Sequence, residues 1–136
     1  MPKFGKRSTD NLNTLDERLA RVLERAIKTG PDFTIIAGHR GEFDQNKAYS
    51  EGFSKARWPL SKHNTSPSLA ADLLPYGGSS AWSDDMRFAL MAGWVLKCAE
   101  EEGVTLRWGG DWNRSWRASV ASGFFDGAHF EIVEDD

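Results

Sequence analysis

Only three histidines occur among the 136 residues, so each can be weighed individually as a metal ligand or a catalytic group. His63 lies in the polar segment Ser61–Thr65, and His129 begins an alternating run near the end of the chain. A single cysteine, Cys98, leaves no partner for a disulfide bond or a thiolate zinc site within one chain. A transition-metal site here must therefore use imidazole and carboxylate ligands.

The carboxylate most suited to such a site is Asp72, which lies within the apolar run Leu69–Leu74. An ionised carboxylate in a buried strand is costly unless it is paired or bound to a metal. No other acidic residue lies within ten residues of it on either side. Two imidazoles and one carboxylate leave an open fourth position on tetrahedral zinc, as in catalytic zinc sites. Asp126, three residues before His129, could then accept a proton from water.

Each of these residues also has an ordinary structural interpretation. A histidine can be hydrogen-bonded in the core, an aspartate can cap a local turn, and Asp126-Gly127 is a common turn pair. Glu131 shares a predicted strand face with His129, so it is either a hydrogen-bond partner of that ligand or a surface residue. It is also the alternative to Asp126 as the base. Spacing alone therefore favours a metal site and leaves these alternatives open.

The elements that must position these residues follow from the apolar pattern. The pattern predicts helices over Leu15–Thr29, Phe43–Glu51 and Asp84–Glu102, and strands over Phe33–Ala37, Leu69–Leu74, Val104–Trp108 and His129–Val133. Thr14 and Glu17 form a capping-box pattern, and Ser83 is expected to cap the long helix. Cys98 falls on the apolar stripe of that helix and is expected to be a core thiol. The order of elements indicates an α+β fold with a small central, mainly antiparallel sheet and flanking helices.

Length and charge limit the possible domains and partners. With 40% hydrophobic and 27% charged residues, we expect residues 1–136 to form one globular domain and the protein to be monomeric. A net charge of −3 provides no broad cationic field for nucleic acid. No apolar run is long enough for membrane insertion or for a signal peptide. A serine hydrolase is disfavoured because no Gly-x-Ser-x-Gly motif occurs.

Two motifs resemble the zinc motifs of the D-Ala-D-Ala carboxypeptidase/VanY-like peptidase family. They are Ser61-Lys62-His63 with Ala70-Ala71-Asp72-Leu73, and Asp126-Gly127-Ala128-His129-Phe130-Glu131. The most similar branch is that of phage endolysins cleaving L-alanyl-D-glutamate bonds in peptidoglycan. Further matches lie in Phe4–Lys6, Gly38–Arg40 and Leu106–Trp112, so the resemblance spans nearly the whole chain. It implies a hedgehog/D-Ala-D-Ala-peptidase-like fold.

The resemblance also implies a role for each matched residue. It places His63, Asp72 and His129 as the ligands of one Zn²⁺ per chain, Asp126 as the catalytic base, and Arg40 as a group that binds the substrate or the developing oxyanion. Ser61 matches a position lining the site. Apart from the resemblance, Glu131 is expected to support a ligand. Trp108 and Trp112 could flank the cleft and contact substrate, with core packing as the alternative for both. Alternatively, Arg40 could pair with Glu42 or Asp44 on the surface, and His39 is interpreted as structural.

Two details of the motifs bear on the branch of the family. The eight residues between His63 and Asp72 make a longer spacer than the family's shorter pattern, as in a variant within the lytic branch. The expected base is an aspartate, Asp126, as in that branch, whereas the dipeptidases and carboxypeptidases have glutamate.

The resemblance therefore implies a zinc-dependent endolysin that acts on peptidoglycan peptides. Such an enzyme would remain in the host cytoplasm until lysis and then act in the periplasm and cell wall. Two alternatives stay open: a D-Ala-D-Ala dipeptidase or carboxypeptidase of the same fold, and a non-catalytic, zinc-stabilised wall-binding module. The presence of Asp126 argues against the second alternative.

Overall fold

The computed structural model describes residues 2–78, 81–117 and 124–134. Within them the elements follow in the order α1 Lys6–Leu12, α2 Glu17–Thr29, β1 Phe33–Ala37, α3 Glu42–Ser50, β2 Ala70–Pro75, α4 Asp85–Glu101, β3 Leu106–Trp108 and β4 His129–Ile132. Single 3-10 turns lie at Lys62–Asn64 and Ala81–Ser83. The strands pair antiparallel throughout, in the order β1-β2-β4-β3. The predicted α+β class with a small antiparallel sheet is confirmed.

The sheet has one apolar face and one face that carries the chemistry. Alternating residues of β2 and β4, among them Leu73, Phe130 and Ile132, are buried in one core cluster with the apolar sides of α2 and α4. Burying each such side chain contributes about 1.5–3 kcal/mol relative to leaving it in water. The residues between them, including Asp72 and His129, project from the opposite face. The hydrophobic core therefore holds rigid the two strands that carry the candidate ligands.

The helix starts differ from the predicted ones by a residue or two. The carboxylate of Asp16, not the hydroxyl of Thr14, caps α2 by accepting the backbone N–H of Arg18 at 2.9 Å. Thr14 instead accepts the N–H of His39 and donates to a carbonyl of the preceding turn. In α4 the cap is Asp84, one residue after the expected Ser83, since its carboxylate reaches an N–H of the first turn.

The first helix, α1, was not predicted from the sequence because its residues are mostly polar. Two of its side chains bind the outer edge of β1. The Ser8 hydroxyl accepts the N–H of Ile35 at 3.0 Å, and the Asn11 amide donates to the carbonyl of Ile35 at 2.7 Å. These bonds satisfy backbone groups that an edge strand otherwise leaves unpaired. Hydrogen bonds thus attach this helix to the sheet, and the spacing of apolar residues could not predict them.

The long helix α4 carries the predicted apolar stripe. Phe88, Met91, Val95 and Cys98 are all buried along it. Burial raises the pKa of the Cys98 thiol, so the expected inert core thiol is consistent with its position. In the described part of the chain, α4 and the other helices are too short or too polar to cross a bilayer.

Candidate metal centre

His63, Asp72 and His129 meet at the polar face of the sheet. One ligand atom from each lies within 4.8 Å of the others. The Oδ1 atom of Asp72 is 3.2 Å from His63 Nε2 and 3.4 Å from His129 Nδ1. Among the described residues this is the one group of three such side chains close enough to share a metal ion. The sequence predicted this group, and the structure brings its members together.

Strand pairing places two of the three ligands. In the antiparallel pair of β2 and β4, Asp72 lies directly opposite His129, so both side chains leave the same face. Their neighbours Ala71 and Phe130 point into the core. A slip of β4 by one residue against β2 would move His129 to the apolar face and away from Asp72, which fixes the register strongly.

His63 is oriented by the segment that follows β1. Its Nδ1 lies 2.8 Å from the carbonyl oxygen of Gly38, and its own carbonyl accepts the N–H of Arg40 at 2.8 Å. Because a carbonyl can only accept, Nδ1 donates to Gly38, and Nε2 is thereby directed at Asp72. A Cβ on Gly38 would collide with Thr14 and with the Asn11 carbonyl, so no larger residue fits there.

The longer spacer between His63 and Asp72 folds back on itself. The N–H of Leu69 donates to the carbonyl of Lys62 at 3.1 Å and to the Thr65 hydroxyl at 3.1 Å. Ser68 donates its N–H to the carbonyl of Thr14 at 2.8 Å, which ties the loop to the start of α2. Both ends of the spacer are therefore anchored, and its extra length leaves the ligands in place.

Glu131 orients His129 by binding the ring nitrogen that does not face Asp72. Its Oε1 atom is 2.8 Å from His129 Nε2, so Nε2 keeps its proton and Nδ1 faces Asp72. The other carboxylate oxygen accepts from Arg107 Nη1 at 3.2 Å and pairs with Lys62 Nζ at 3.6 Å. Burial alone would raise the pKa of Glu131, but the hydrogen bond from His129 and the two cations lower it. A carboxylate so engaged supports a ligand and is poorly placed to act as a base.

Ion pairs connect the three ligands to one another and to Glu131. Burial disfavours a charged His129, yet its hydrogen bonds to Asp72 and Glu131 outweigh burial and raise its pKa to about 9. Burial also opposes ionisation of Asp72, but the charge of His63 and the hydrogen bonds from both histidines hold its pKa well below the usual range. Two imidazole nitrogens and one ionised carboxylate oxygen are the donors that divalent transition metals prefer. The three residues therefore fit a metal ion.

Asp126 lines the same cleft, half-buried beside the ligands. Its carbonyl accepts the N–H of His129 at 3.1 Å, and its own N–H donates to Gly109 at 2.9 Å. A Cβ on Gly109 would collide with the Asp126 carbonyl, so this close approach needs glycine. Burial, followed by the negative charge of Asp72, raises the pKa of Asp126 to about 6. A carboxyl group with a pKa this near neutrality is suited to proton transfer.

Arg40 reaches into the cleft and contacts a ligand. Its Nη2 donates to Asp72 Oδ2 at 3.2 Å, and its Nη1 donates to Gln45 Oε1 at 3.1 Å. The alternative prediction, a surface ion pair of Arg40 with Glu42 or Asp44, is therefore wrong. The Arg40 side chain is only 17% exposed. Gln45 was missed by the sequence analysis, since a single glutamine in a polar helix carries no signal, yet it is fully buried.

Of the remaining predicted site residues, some line the cleft and others lie in the hydrophobic core or on the surface. Ser61 lines the cleft, which has a volume of about 480 Å³, and its hydroxyl caps the 3-10 turn of His63. Trp108 does not line it: the side chain is in the core and donates to the Gly127 carbonyl at 2.7 Å. Its expected contact with substrate is thus corrected in favour of the alternative, core packing, and Trp112 lines the cleft instead. His39 is exposed and lies outside the ligand group.

Comparisons with known proteins agree with this geometry. The family model described as phage L-alanyl-D-glutamate peptidase matches residues 1–133. The L-alanyl-D-glutamate peptidase of Escherichia phage T5 is 36% identical over 141 residues, covering 96% of this chain and 98% of that protein. The crystal structure of the L-Ala D-Glu endopeptidase ChiX of Serratia marcescens superposes with a TM-score of 0.75 at 25% identity, covering 96% of this chain and 89% of that one.

Metal binding should release a proton from the apoprotein. His129 has a pKa of about 9, so at pH 7 it is protonated and must lose its Nδ1 proton before that atom can bind a metal. We expect the apparent affinity for Zn²⁺ to rise by about tenfold from pH 7 to pH 8. Calorimetric titration in buffers of different ionisation enthalpy measures the released proton directly. Affinity that is independent of pH, with no proton released, would contradict this account of the centre.

Glu131→Gln should weaken metal binding without unfolding the protein. The amide keeps the shape of the side chain but loses the charge that holds His129 in position. We expect the dissociation constant for Zn²⁺ to rise by about 10–100-fold, as for other partners of metal ligands. Competition with a chelator measures the constant, and circular dichroism checks the fold. Glu101→Gln, on the exposed side of α4, is the matched control and should leave the constant unchanged.

Proposed function

The chain belongs to the phage L-alanyl-D-glutamate peptidase family, and we propose that it is a zinc-dependent endolysin. Its reaction is hydrolysis of the amide between L-alanine and D-glutamate in the stem peptides of peptidoglycan. The observation that supports this proposal is the group of His63, Asp72 and His129 in a cleft shared with Asp126. Cleavage of this bond detaches the cross-linked peptides from the wall and so lyses the bacterial host.

Three side-chain atoms would hold the zinc ion: His63 Nε2, Asp72 Oδ1 and His129 Nδ1. Zinc bound there supplies a Lewis acid that polarises the scissile carbonyl and lowers the pKa of water toward neutrality. Three protein ligands leave a coordination position open, which distinguishes catalytic zinc sites from structural ones.

The protein's own groups carry the proton transfers. Asp126, as a carboxylate, accepts a proton from the water that attacks the carbonyl carbon of L-alanine. The same carboxyl group then donates that proton to the amide nitrogen of D-glutamate as the carbon–nitrogen bond breaks. The products are a carboxylate on L-alanine and an amine on D-glutamate. Arg40, with its guanidinium held beside Asp72, stabilises negative charge on the carbonyl oxygen during attack.

The same contacts bear on the protein's assembly and place of action. All the proposed site residues come from one chain, so we propose that a monomer with a single peptidase domain over residues 1–136 is sufficient for activity. The proposed partner is the peptidoglycan peptide, and neither nucleic acid nor membrane insertion has a role in this reaction. The enzyme would remain in the host cytoplasm until lysis and then act in the periplasm and the cell wall.

Product analysis on purified peptidoglycan tests the proposed function. We expect mass spectrometry to find new peptides that begin with D-glutamate and wall strands that end with L-alanine, and a zinc chelator should abolish both. Release of D-alanine or of the dipeptide D-Ala-D-Ala would instead establish a carboxypeptidase or dipeptidase. Binding to the wall without any released peptide would establish a non-catalytic module.

Asp126→Ala should separate metal binding from turnover. The substitution removes the proposed proton acceptor but none of the three ligands, so we expect zinc content to stay near one per chain. Turnover should fall by about 10²–10⁴-fold, the range for loss of a general base. Asp10→Ala, which removes an exposed carboxylate from α1, is the matched control. His63→Ala should lose both zinc and activity, and retained turnover in Asp126→Ala would transfer the base role to another group.

A further inference from the structure

Three cations line the cleft, and two of them are already paired with carboxylates. Arg40 contacts Asp72 at 3.2 Å, and Lys62 contacts Glu131 at 3.6 Å. The third is Lys55, whose ammonium group lies 5.2 Å from the centre of the Phe124 ring. Within residues 2–78, 81–117 and 124–134, no carboxylate forms an ion pair with Lys55. The aromatic face attracts the cation while leaving its N–H groups available for another acceptor.

Two ring contacts and one hydrogen bond connect Lys55 to a metal ligand. Below the ammonium group, Phe124 is fixed because its carbonyl accepts the indole N–H of Trp112 at 2.6 Å. The Trp112 ring in turn lies 5.5 Å from the His129 ring, at an angle of 33°. These contacts hold the ammonium group at the wall of the cleft that also contains the ligands. Since Lys55 and the ligands line the same cleft, we expect a substrate group near the scissile bond to lie within its reach.

The backbone on both sides of Lys55 is anchored to the buried Gln45. The Gln45 amide donates to the Ser54 hydroxyl at 2.9 Å and to the Ala56 carbonyl at 2.7 Å. The other end of the same amide accepts from Arg40. Although the Lys55 side chain is exposed, its point of attachment is thus fixed relative to the catalytic groups. A cation held in this way loses less freedom on binding than one on a free loop.

The chemistry of the substrate supplies an anion at this place. A D-glutamate residue has two carboxyl groups, and continuation of the peptide uses only one of them. The other remains as a free carboxylate, a few bonds from the nitrogen of the scissile amide. The cleft already contains Asp72, Asp126 and Glu131, so a further negative charge there needs a cation as its partner.

We propose that Lys55 binds the free carboxylate of the D-glutamate residue and thereby sets the enzyme's preference for that residue. This inference rests on the proposed function and adds a specificity residue to it. Lys55 contacts the substrate but takes no part in the proton transfers. The preference for a carboxylate over the corresponding carboxamide is therefore the property that depends on it.

A pair of matched peptides tests the assignment with the zinc-loaded protein. One contains L-alanyl-D-glutamate with the free carboxylate, and the other contains the same residue with that group as a carboxamide. We expect the wild type to have a kcat/KM at least about tenfold higher for the carboxylate, as for a hydrogen bond to a charged group. In Lys55→Met this ratio should fall to about one, chiefly through loss of kcat/KM on the carboxylate peptide. Lys55→Arg should restore most of the preference.

The same loop provides the control. Arg57 also lies over an aromatic ring, that of Tyr49 at 4.8 Å, but it does not line the cleft. Arg57→Met should therefore keep the full preference for the carboxylate. Equal cleavage of both peptides by the wild type, or an unchanged ratio in Lys55→Met, overturns the assignment. An equal loss on both peptides assigns Lys55 a structural role and also overturns it.

Failure of the proposed function has a different signature. In that case the zinc-loaded wild type cleaves neither peptide nor purified peptidoglycan at the alanyl-glutamate bond, and the role of Lys55 fails with it. Cleavage of both peptides without discrimination leaves the proposed function intact and removes only the role of Lys55.

Discussion

The rest of the site is arranged around one buried carboxylate, that of Asp72. A charge on a strand whose neighbours lie in the core is destabilising unless several groups compensate for it. Here His63 and His129 compensate at one oxygen and Arg40 at the other, while the side chain stays 16% exposed to the cleft. Each of these three partners comes from a different part of the fold. The charge therefore requires that β1, β2 and β4 and the loop before β2 all reach their final positions together.

Residues that contact the three ligands and Arg40 determine how these side chains are oriented toward the cleft. Each histidine has one ring nitrogen engaged, by a carbonyl for His63 and by Glu131 for His129, so that the other nitrogen is directed at Asp72. Gln45 links Arg40 to the loop that forms the opposite wall. Gly109 also contributes, because its lack of a Cβ allows the Asp126 carbonyl to approach its backbone closely. The geometry of the metal centre thus depends on residues that provide no ligand atom to it.

Sequence reasoning predicted the parts of the molecule that periodicity and scarcity define. The apolar stripes of α2 and α4 follow from the spacing of their hydrophobic residues. The choice of metal ligands is restricted because the chain has only three histidines and no other acidic residue lies near Asp72 in the sequence. It missed α1, whose contacts with β1 are polar, and Gln45, which is hydrogen-bonded to Arg40, Ser54, Ala56 and Asn64, residues that only folding brings together. For Trp108 the sequence left both cleft and core open because aromatic residues occur in both, and only the tertiary structure places it in the core. The local spacing of apolar residues predicts which face of a helix or strand a side chain occupies. Hydrogen bonds between residues far apart in the sequence produce no such local pattern, so they cannot be predicted from it.

The polar helix at the start of the chain has a consequence for behaviour at high concentration. A four-stranded sheet exposes two edges, and an unpaired edge can recruit a strand from another copy. On one side, Ser8 and Asn11 occupy the backbone groups of Ile35, and on the other, β3 is only three residues long. Among the described residues, neither edge therefore presents a long row of free backbone groups. Such edges disfavour pairing with a strand of another copy at high concentration.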